Sequence, residues 1–546
     1  MDVPSEFYSF PEIDMLRLCN RFPAFAHNFV RNNHLFYDTV VDKKIKNVPP
    51  SLLLKRFPRC DKINHLVLLR GTIIKVNPIL LKDVEQSYRC LYCDHSEIVK
   101  LANYKKKRKI ICEKCGKNDF KVDEVFTKAK NCQIIRIQDI GNPQTMSDTI
   151  EILITGEQAG KFLPGENIEV LGIVRLKWPL LKMNEKLSPV IYLQSHSIRR
   201  TERKERLRFE GLNDFMNVEC FDKQRFLLKN FMNEIVGCEN VKLGILLSVI
   251  GKKKKDKETR NNSHIMLVGT PGTGKSHFLR SIAHLAHSVS INGIGTSEAG
   301  LTTCAVKQGK EWLLEAGALI LADNGICCID AFDALPLYDK RGLLEVMEQQ
   351  TLSVAKAGLV STLNARCSVI AAYNISYYDM CKSICENLRI SSPLVSRFDL
   401  IFLIDEKYEH DYVISQKVLT RSEIKHKKQH WNLGILKDFL ETVRNNETDV
   451  NIEATNLINT YFKWRRTQKT EMFTIRNLES ILRLSESHAK LLGKAVLDED
   501  SVMTAIFLIE SSLWKSQKIE LDTKRIFIDK EYFGAKAQEM RALMNN

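Results

Sequence analysis

The sequence predicts a multidomain chain of the α/β plus β class, with a small helical subdomain first, then a β-rich module and an α/β module, and helices at the C-terminal end. Three observations predict it. An apolar run at 264–268 leads into a glycine-rich loop and then a helical pattern over 277–287, which is a strand–loop–helix unit. Two Cys-x-x-Cys pairs sit among short apolar runs at 65–76, 133–137, 149–154 and 167–174. Beyond residue 430 the apolar residues recur at helical spacing. A chain of 546 residues is also too long for one core, and three or four domains is the expected number.

Composition sets the outer bounds. The apolar fraction of 44% is that of an ordinary soluble protein. A net charge of +15 points to a polyanionic partner or, more simply, to a solvated basic surface. The start, Met1-Asp2-Val3-Pro4-Ser5-Glu6, lacks the apolar core of a signal peptide, and no apolar run reaches membrane-spanning length. The 15 cysteines are an odd number, mostly scattered singly, which suits a reducing intracellular compartment.

Residues 1–60 mix aromatic and aliphatic side chains at loosely helical spacing and predict an N-terminal helical subdomain. Residues 61–205 predict a small Greek-key barrel such as an OB-fold, its first strand interrupted at Gly71 as a barrel corner requires. Inserted in it, at about 88–118, Cys90 and Cys93 are followed after eighteen residues by Cys112 and Cys115. That is the spacing of a Cys₄ zinc ribbon. Four thiolates close a tetrahedron with no open position, so the Zn²⁺ would be structural. Between the pairs, the run 105–109 (Lys-Lys-Lys-Arg-Lys) either faces a phosphate backbone or is a solubilising loop. The mixed-charge run 199–208 reads as a linker.

Residues 206–425 carry the chemistry. Gly269-Thr270-Pro271-Gly272-Thr273-Gly274-Lys275-Ser276 matches G-x-x-x-x-G-K-[ST] at every fixed position. Glycines let backbone N–H groups approach phosphate oxygens, and the helix N-terminus adds positive dipole. Lys275 would reach the β- and γ-phosphates of ATP, and the Ser276 hydroxyl would bind Mg²⁺. Fifty-five residues after Lys275, the apolar strand 326–330 ends in Asp330, the expected Mg²⁺-side carboxylate. A further strand, 368–374, ends in Asn374, which can orient a water or make a plain strand-end hydrogen bond. Arg397, in Ser392-Pro-Leu-Val-Ser-Arg397-Phe-Asp-Leu400, is either a finger for a neighbour's nucleotide or a surface cation. A charged loop is expected at 251–257.

Residues 426–516 predict four amphipathic helices, near 431–444, 451–469, 473–492 and 498–515, and 517–546 read as a charged, partly disordered tail.

The motifs Gly269–Ser276, 293–301 (Gly-Ile-Gly-Thr-Ser-Glu-Ala-Gly-Leu), 315–323 (Glu-Ala-Gly-Ala-Leu-Ile-Leu-Ala-Asp), 347–359 (Met-Glu-Gln-Gln-Thr-Leu-Ser-Val-Ala-Lys-Ala-Gly-Leu) and 392–400 resemble the minichromosome maintenance (MCM) branch of AAA+ DNA helicases. Within it, Cys327-Cys328 and 354–360 look most like the ninth member, the recombination branch. The resemblance covers about residues 60–495, zinc ribbon and barrel included, and implies an AAA+ P-loop core followed by a helical lid. It further implies a hexameric ring around DNA in the nucleus, built with other MCM subunits such as a paralogous partner of the recombination branch. Lys275, Ser276, Asp330 and Asn374 would form the cis half of an ATP site. Arg397 and Arg476, in Thr474-Ile-Arg476-Asn-Leu-Glu-Ser480, would act in trans on a neighbour's nucleotide. Lys356 falls where a pore-hairpin lysine touches DNA phosphates in a central channel holding one strand. One departure stands out. The family's strand ends Asp-Glu, the glutamate polarising the attacking water, whereas this chain has Asp330-Ala331. A methyl group neither accepts a proton nor positions water, and the next carboxylate is Asp333. Tyr373 and Ile375 also replace the residues of the usual Thr-Asn-Pro.

Overall fold

A computed structural model describes residues 12–14, 44–46, 52–100, 112–139, 148–178, 189–201, 219–251, 260–404, 433–468, 473–513 and 521–545, with residue 55, short gaps (233–234, 286, 309–310, 357–358, 376, 380–381, 524) and all but a few residues of 405–432 set aside. The run 105–109, the charged loop 252–257 and most of residues 1–60 therefore lie outside the described residues. So does the linker beyond 201. Within 1–60 the structure describes a parallel pair of short strands, β1 (Glu12–Asp14) and β2 (Lys44–Lys46). The chain forms two compact units, one of residues 1–203 with 305–315, the other of 204–304 with 316–546.

The first unit is a closed barrel with an extension. Its strands are β3 (Leu66–Val76), β4 (Leu80–Cys90), β5 (Ser96–Lys100), β6 (Phe120–Gln138), β7 (Thr149–Thr155), β8 (Asn167–Lys177) and β9 (Val190–Arg200). Neighbours run β3-β8-β9-β7-β6, and β6 returns to β3, which closes five strands into the OB-fold the sequence predicts. The core is aliphatic: Leu69, Ile73, Ile135, Ile152, Val170 and Leu193 are fully buried. Gly71 does not interrupt β3. The strand runs through it and changes partner there, from β8 to β6, and a Cβ at 71 would lie 2.8 Å from the Gln138 carbonyl oxygen. Glycine serves a close approach of two backbones instead of a break. Beyond the barrel, β6 continues alongside β4 and, with β5, carries the cysteine knuckles.

The second unit opens with α1 (Cys220–Asn230) and α2 (Glu239–Ile250) and is built on a five-stranded parallel sheet. In chain order its elements are β10 (Ile265–Gly269), α3 (Lys275–Leu285), β11 (Ser288–Asn292), α4 (Glu298–Leu301), α5 (Ala318–Leu321), β14 (Ile326–Asp330), α6 (Arg341–Gln349), the hairpin β15 (Thr351–Lys356) and β16 (Leu359–Asn364), β17 (Ser368–Asn374), α7 (Ile384–Leu388), α8 (Ser392–Val395) and β18 (Leu400–Ile404). Between α4 and α5 in the chain come β12 (Thr303–Gln308) and β13 (Glu311–Ala316), whose residues 305–315 belong to the first unit. The sheet order is β11-β14-β17-β10-β18. Four of its strands, β10, β14, β17 and β18, are near-continuous apolar runs, as a sheet covered on both faces demands, while the edge strand β11 alternates polar and apolar residues. Four helices follow: α9 (Leu433–Arg444), α10 (Ile452–Thr467), α11 (Ile475–Leu492) and α12 (Glu499–Ser512). Their boundaries fall within a few residues of those expected. Buried between α10 and α12, Arg465 and Tyr461 both engage Glu510, at 3.0 and 2.6 Å.

The tail expected to be partly disordered is folded. Ile526 and Phe527 are fully buried, and α13 (Lys530–Asn545) packs Phe533 edge-on against Phe221 and Phe507. The signal was present in the sequence. Phe533, Ala537, Met540 and Met544 recur at helical spacing along one buried stripe, masked by charges on the other faces.

Candidate nucleotide site and arginine face

The phosphate-binding loop joins β10 to α3, the strand–loop–helix context its sequence predicts. Gly272 and Gly274 adopt φ of 97° and 87°, open to glycine at little cost. A Cβ at Gly269 would strike the Ile404 carbonyl of the adjacent strand. Lys275 is buried, and its ammonium donates to the carbonyls of Gly269 (2.9 Å) and Thr270 (2.5 Å) and to Thr273 Oγ1 (3.1 Å).

Asp330 and Asn374 arrive at the same edge because β14, β17 and β10 are neighbours running in parallel. Asn374 is the register partner of Gly269. Ala331 takes a left-handed conformation (φ 49°, ψ 51°) and donates its N–H to Asp330. Asp333 turns back to the same edge, where its carboxylate accepts the Asn374 N–H at 3.1 Å. The two unusual flanks of Asn374 have physical reasons. Tyr373 is buried and its hydroxyl donates to the Leu388 carbonyl, tying β17 to α7. Ile375 donates its N–H to the Gly269 carbonyl at 3.1 Å, a bond proline could not make.

Arg397 and Arg476 come together on one face. Glu348, in the last turn of α6, lies 3.2 Å from Arg397 Nε and 3.2 Å from Arg476 Nη2. Behind them sits a network that sequence reading missed. Asp399 is buried and accepts from Arg260 (2.5 Å), Arg483 (2.7 Å), the His264 N–H (2.8 Å) and the Ser480 hydroxyl. Burial alone would raise its pKa. Arg260 and Arg483 outweigh that and hold it well below the usual carboxylate range. Arg260 also donates to the carbonyls of Arg397 (3.0 Å) and Met347 (3.3 Å). Ser480 and Arg483 lie on α11 one and two turns beyond Arg476. One buried carboxylate thus fixes the three segments that supply Glu348, Arg397 and Arg476. Arg397 is pushed below its ordinary pKa by burial and by Arg476, with Glu348 opposing.

Lys356 ends β15, where the hairpin turns, and donates to the Thr303 carbonyl at 3.0 Å. In the first unit, Cys90, Cys93, Cys112 and Cys115 bring their sulfurs within 4.8 Å of one another. The Cys90–Cys115 and Cys93–Cys112 pairs are each 3.5 Å apart. Cys90 is lowered to about 7, chiefly by the Tyr92 N–H. Cys93, although the His95 N–H favours its thiolate, is raised to about 12 by desolvation and by its cysteine neighbours. Four such thiols ionise together only around a cation.

Comparison with known proteins agrees with this architecture. The MCM OB domain matches residues 56–177, the MCM P-loop domain 215–422 and the MCM AAA-lid domain 434–513. A protein of Arabidopsis thaliana named "Probable DNA helicase MCM9" is 33% identical over 82% of this chain and 75% of its own length. The chain belongs to the minichromosome maintenance family. Its similarity extends to an Oryza sativa protein of the same name, 33% identical over 83% of this chain and 73% of that protein. A Saccharolobus solfataricus protein named "Minichromosome maintenance protein MCM" is 29% identical over 90% of this chain and 75% of its own length. The fold class is therefore the MCM one: OB-fold, AAA+ P-loop core and helical lid. Among the described residues no helix is long and apolar enough to cross a membrane.

Proposed function

We propose that this MCM chain is an ATP-dependent DNA helicase subunit of a hexameric ring, acting in the nucleus in homologous recombination and double-strand break repair. Replication and meiosis are neighbouring roles. The observation that carries the reading is the placing of Asp330 and Asn374 at the ends of neighbouring strands, beside the glycine-formed loop that leads from β10 to Lys275 at the start of α3. Mg-ATP fits there. Phosphate oxygens would replace the loop carbonyls and hydroxyl now around Lys275, while Ser276 and Asp330 would hold Mg²⁺. Arg397 and Arg476 would serve the nucleotide of a neighbouring subunit, and Lys356 would grip one DNA strand in the channel. Asp333, held by the Asn374 amide, would orient the attacking water in place of the missing glutamate.

Zn²⁺ fits the four cysteines. A tetrahedron with bonds of about 2.3 Å has edges of about 3.8 Å, close to the 3.5 Å sulfur separations. No open ligand position remains, so the metal would hold the knuckles together.

Ala331 favours a second reading, a ring subunit that binds ATP without hydrolysing it and completes a catalytic paralogous partner. Turnover of the purified chain with single-stranded DNA separates the two. DNA-stimulated hydrolysis by the wild-type chain alone, lost in Lys275→Ala, supports the motor. Hydrolysis that appears only in Ala331→Glu supports the second reading. In a mixture with the partner, Arg397→Ala should abolish the partner's turnover and leave this chain's own nucleotide affinity intact. Turnover that survives sinks the trans role.

A further inference from the structure

We propose that Glu348 is a built-in anion that occupies the Arg397–Arg476 face until the triphosphate of a neighbouring subunit displaces it, which makes the face a gated polyphosphate receptor. The proposal rests on the reading above that the two arginines serve a neighbour.

Two guanidiniums side by side repel each other, and one carboxylate, 3.2 Å from each, offsets half of their charge. The contact to Arg397 is imperfect. Neither Arg397 Nε nor Glu348 Oε2 finds an aligned hydrogen-bond partner, so that approach is a charge contact only. Arg476 is bound better, its Nε donating to Glu348 Oε1 at 3.3 Å. A phosphate, with three acceptor oxygens and more charge, would satisfy both fork-shaped donors where one carboxylate does not.

Glu348 also stands in an unfavourable place for the helix itself. It is in the last turn of α6, where the dipole disfavours an acid. Both arginines are tied to the fold beyond Glu348. Arg260 anchors the Met347 and Arg397 carbonyls, Arg397 Nη1 is committed to the Pro393 carbonyl (2.7 Å), and Arg476 Nη1 to Ser396 Oγ (2.9 Å). The Glu348 side chain is 38% exposed and has room to swing to solvent.

The test titrates inorganic tripolyphosphate calorimetrically into the full chain carrying Lys275→Ala, which disables its own loop. Adding Glu348→Gln should tighten binding about two- to tenfold, as expected for removing two partly exposed ion pairs. Glu348→Asp should give a smaller gain, and adding Arg397→Ala with Arg476→Ala should erase it. In a ring with the catalytic partner, Glu348→Gln should lower the partner's KM for ATP with kcat little changed. Unchanged or weaker tripolyphosphate binding in a folded Glu348→Gln protein overturns the proposal, as does the same result in Glu348→Asp should the Gln variant not fold. Failure of the underlying reading is seen separately, as partner turnover that ignores Arg397→Ala.

Discussion

The phosphate-loop edge and the arginine face lie in the same compact unit, yet they are made of different material. The first is built from backbone: glycines, strand ends and a helix N-terminus, contributed by contiguous motifs. The second is built from long side chains at positions 348, 397 and 476, held in place by a buried carboxylate at 399 and its arginines at 260 and 483. The contrast teaches that a site made of main chain is robust and locally encoded. A site made of charged side chains depends on every member of a network.

The difference can be broken most severely at Asp399. Asp399→Asn leaves Arg260 and Arg483 as buried, uncompensated charges and should cost about 3–5 kcal/mol of stability, read from denaturant unfolding. Under conditions where the variant stays folded, it should disable Arg397 and Arg476 in trans but leave nucleotide affinity within about twofold. A loss below about 1 kcal/mol would show that the network does not hold the face.

Acid should act next. His264 and His488 are fully buried, and desolvation lowers both to about 3. His264 is neutral with its roles fixed, Nδ1 accepting from the Val369 N–H and Nε2 donating to the Met347 carbonyl. Between pH 6.5 and 3 the unfolded chain takes up protons that the native one refuses, so stability falls as pH drops through that window and is flat above it. From pH 7 to 5 the loss should be about 2 kcal/mol per histidine. A stability curve flat down to pH 5 contradicts the assignment.

The smallest effect sharpens the comparison from outside. Chelating metal from Cys90, Cys93, Cys112 and Cys115 should unfold the knuckles, visible as a loss of far-ultraviolet structure. Nucleotide affinity of the other unit should change by less than about twofold, and a tenfold loss would contradict a purely structural metal.

Legibility follows the same divide. The phosphate loop, Asp330, Asn374 and the Cys-x-x-Cys pairs were readable because each is a short run whose spacing is fixed by one turn or strand end. Four barrel strands, β3, β6, β7 and β8, showed through their apolar runs, whereas β9 of the barrel and β4 and β5 of the extension, where polar and charged residues interrupt the apolar pattern, did not. The Asp399 network was not readable. Its members are scattered from 260 to 483, and an arginine on a lid helix looks in sequence like any solvated cation. Glu348 was read only as part of a family motif, with nothing in its neighbours to join it to residues 49 and 128 positions away. The last helix escaped because its charged faces outnumber its buried stripe.

The backward bend at Ala331 has a practical consequence. Its left-handed φ strains any residue that has a Cβ, alanine and glutamate alike. The main chain is consequently already shaped for either side chain, and exchanging one for the other alters the functional group presented to water while leaving the trace alone. Whatever activity such an exchange brings or fails to bring can be credited to a single carboxylate.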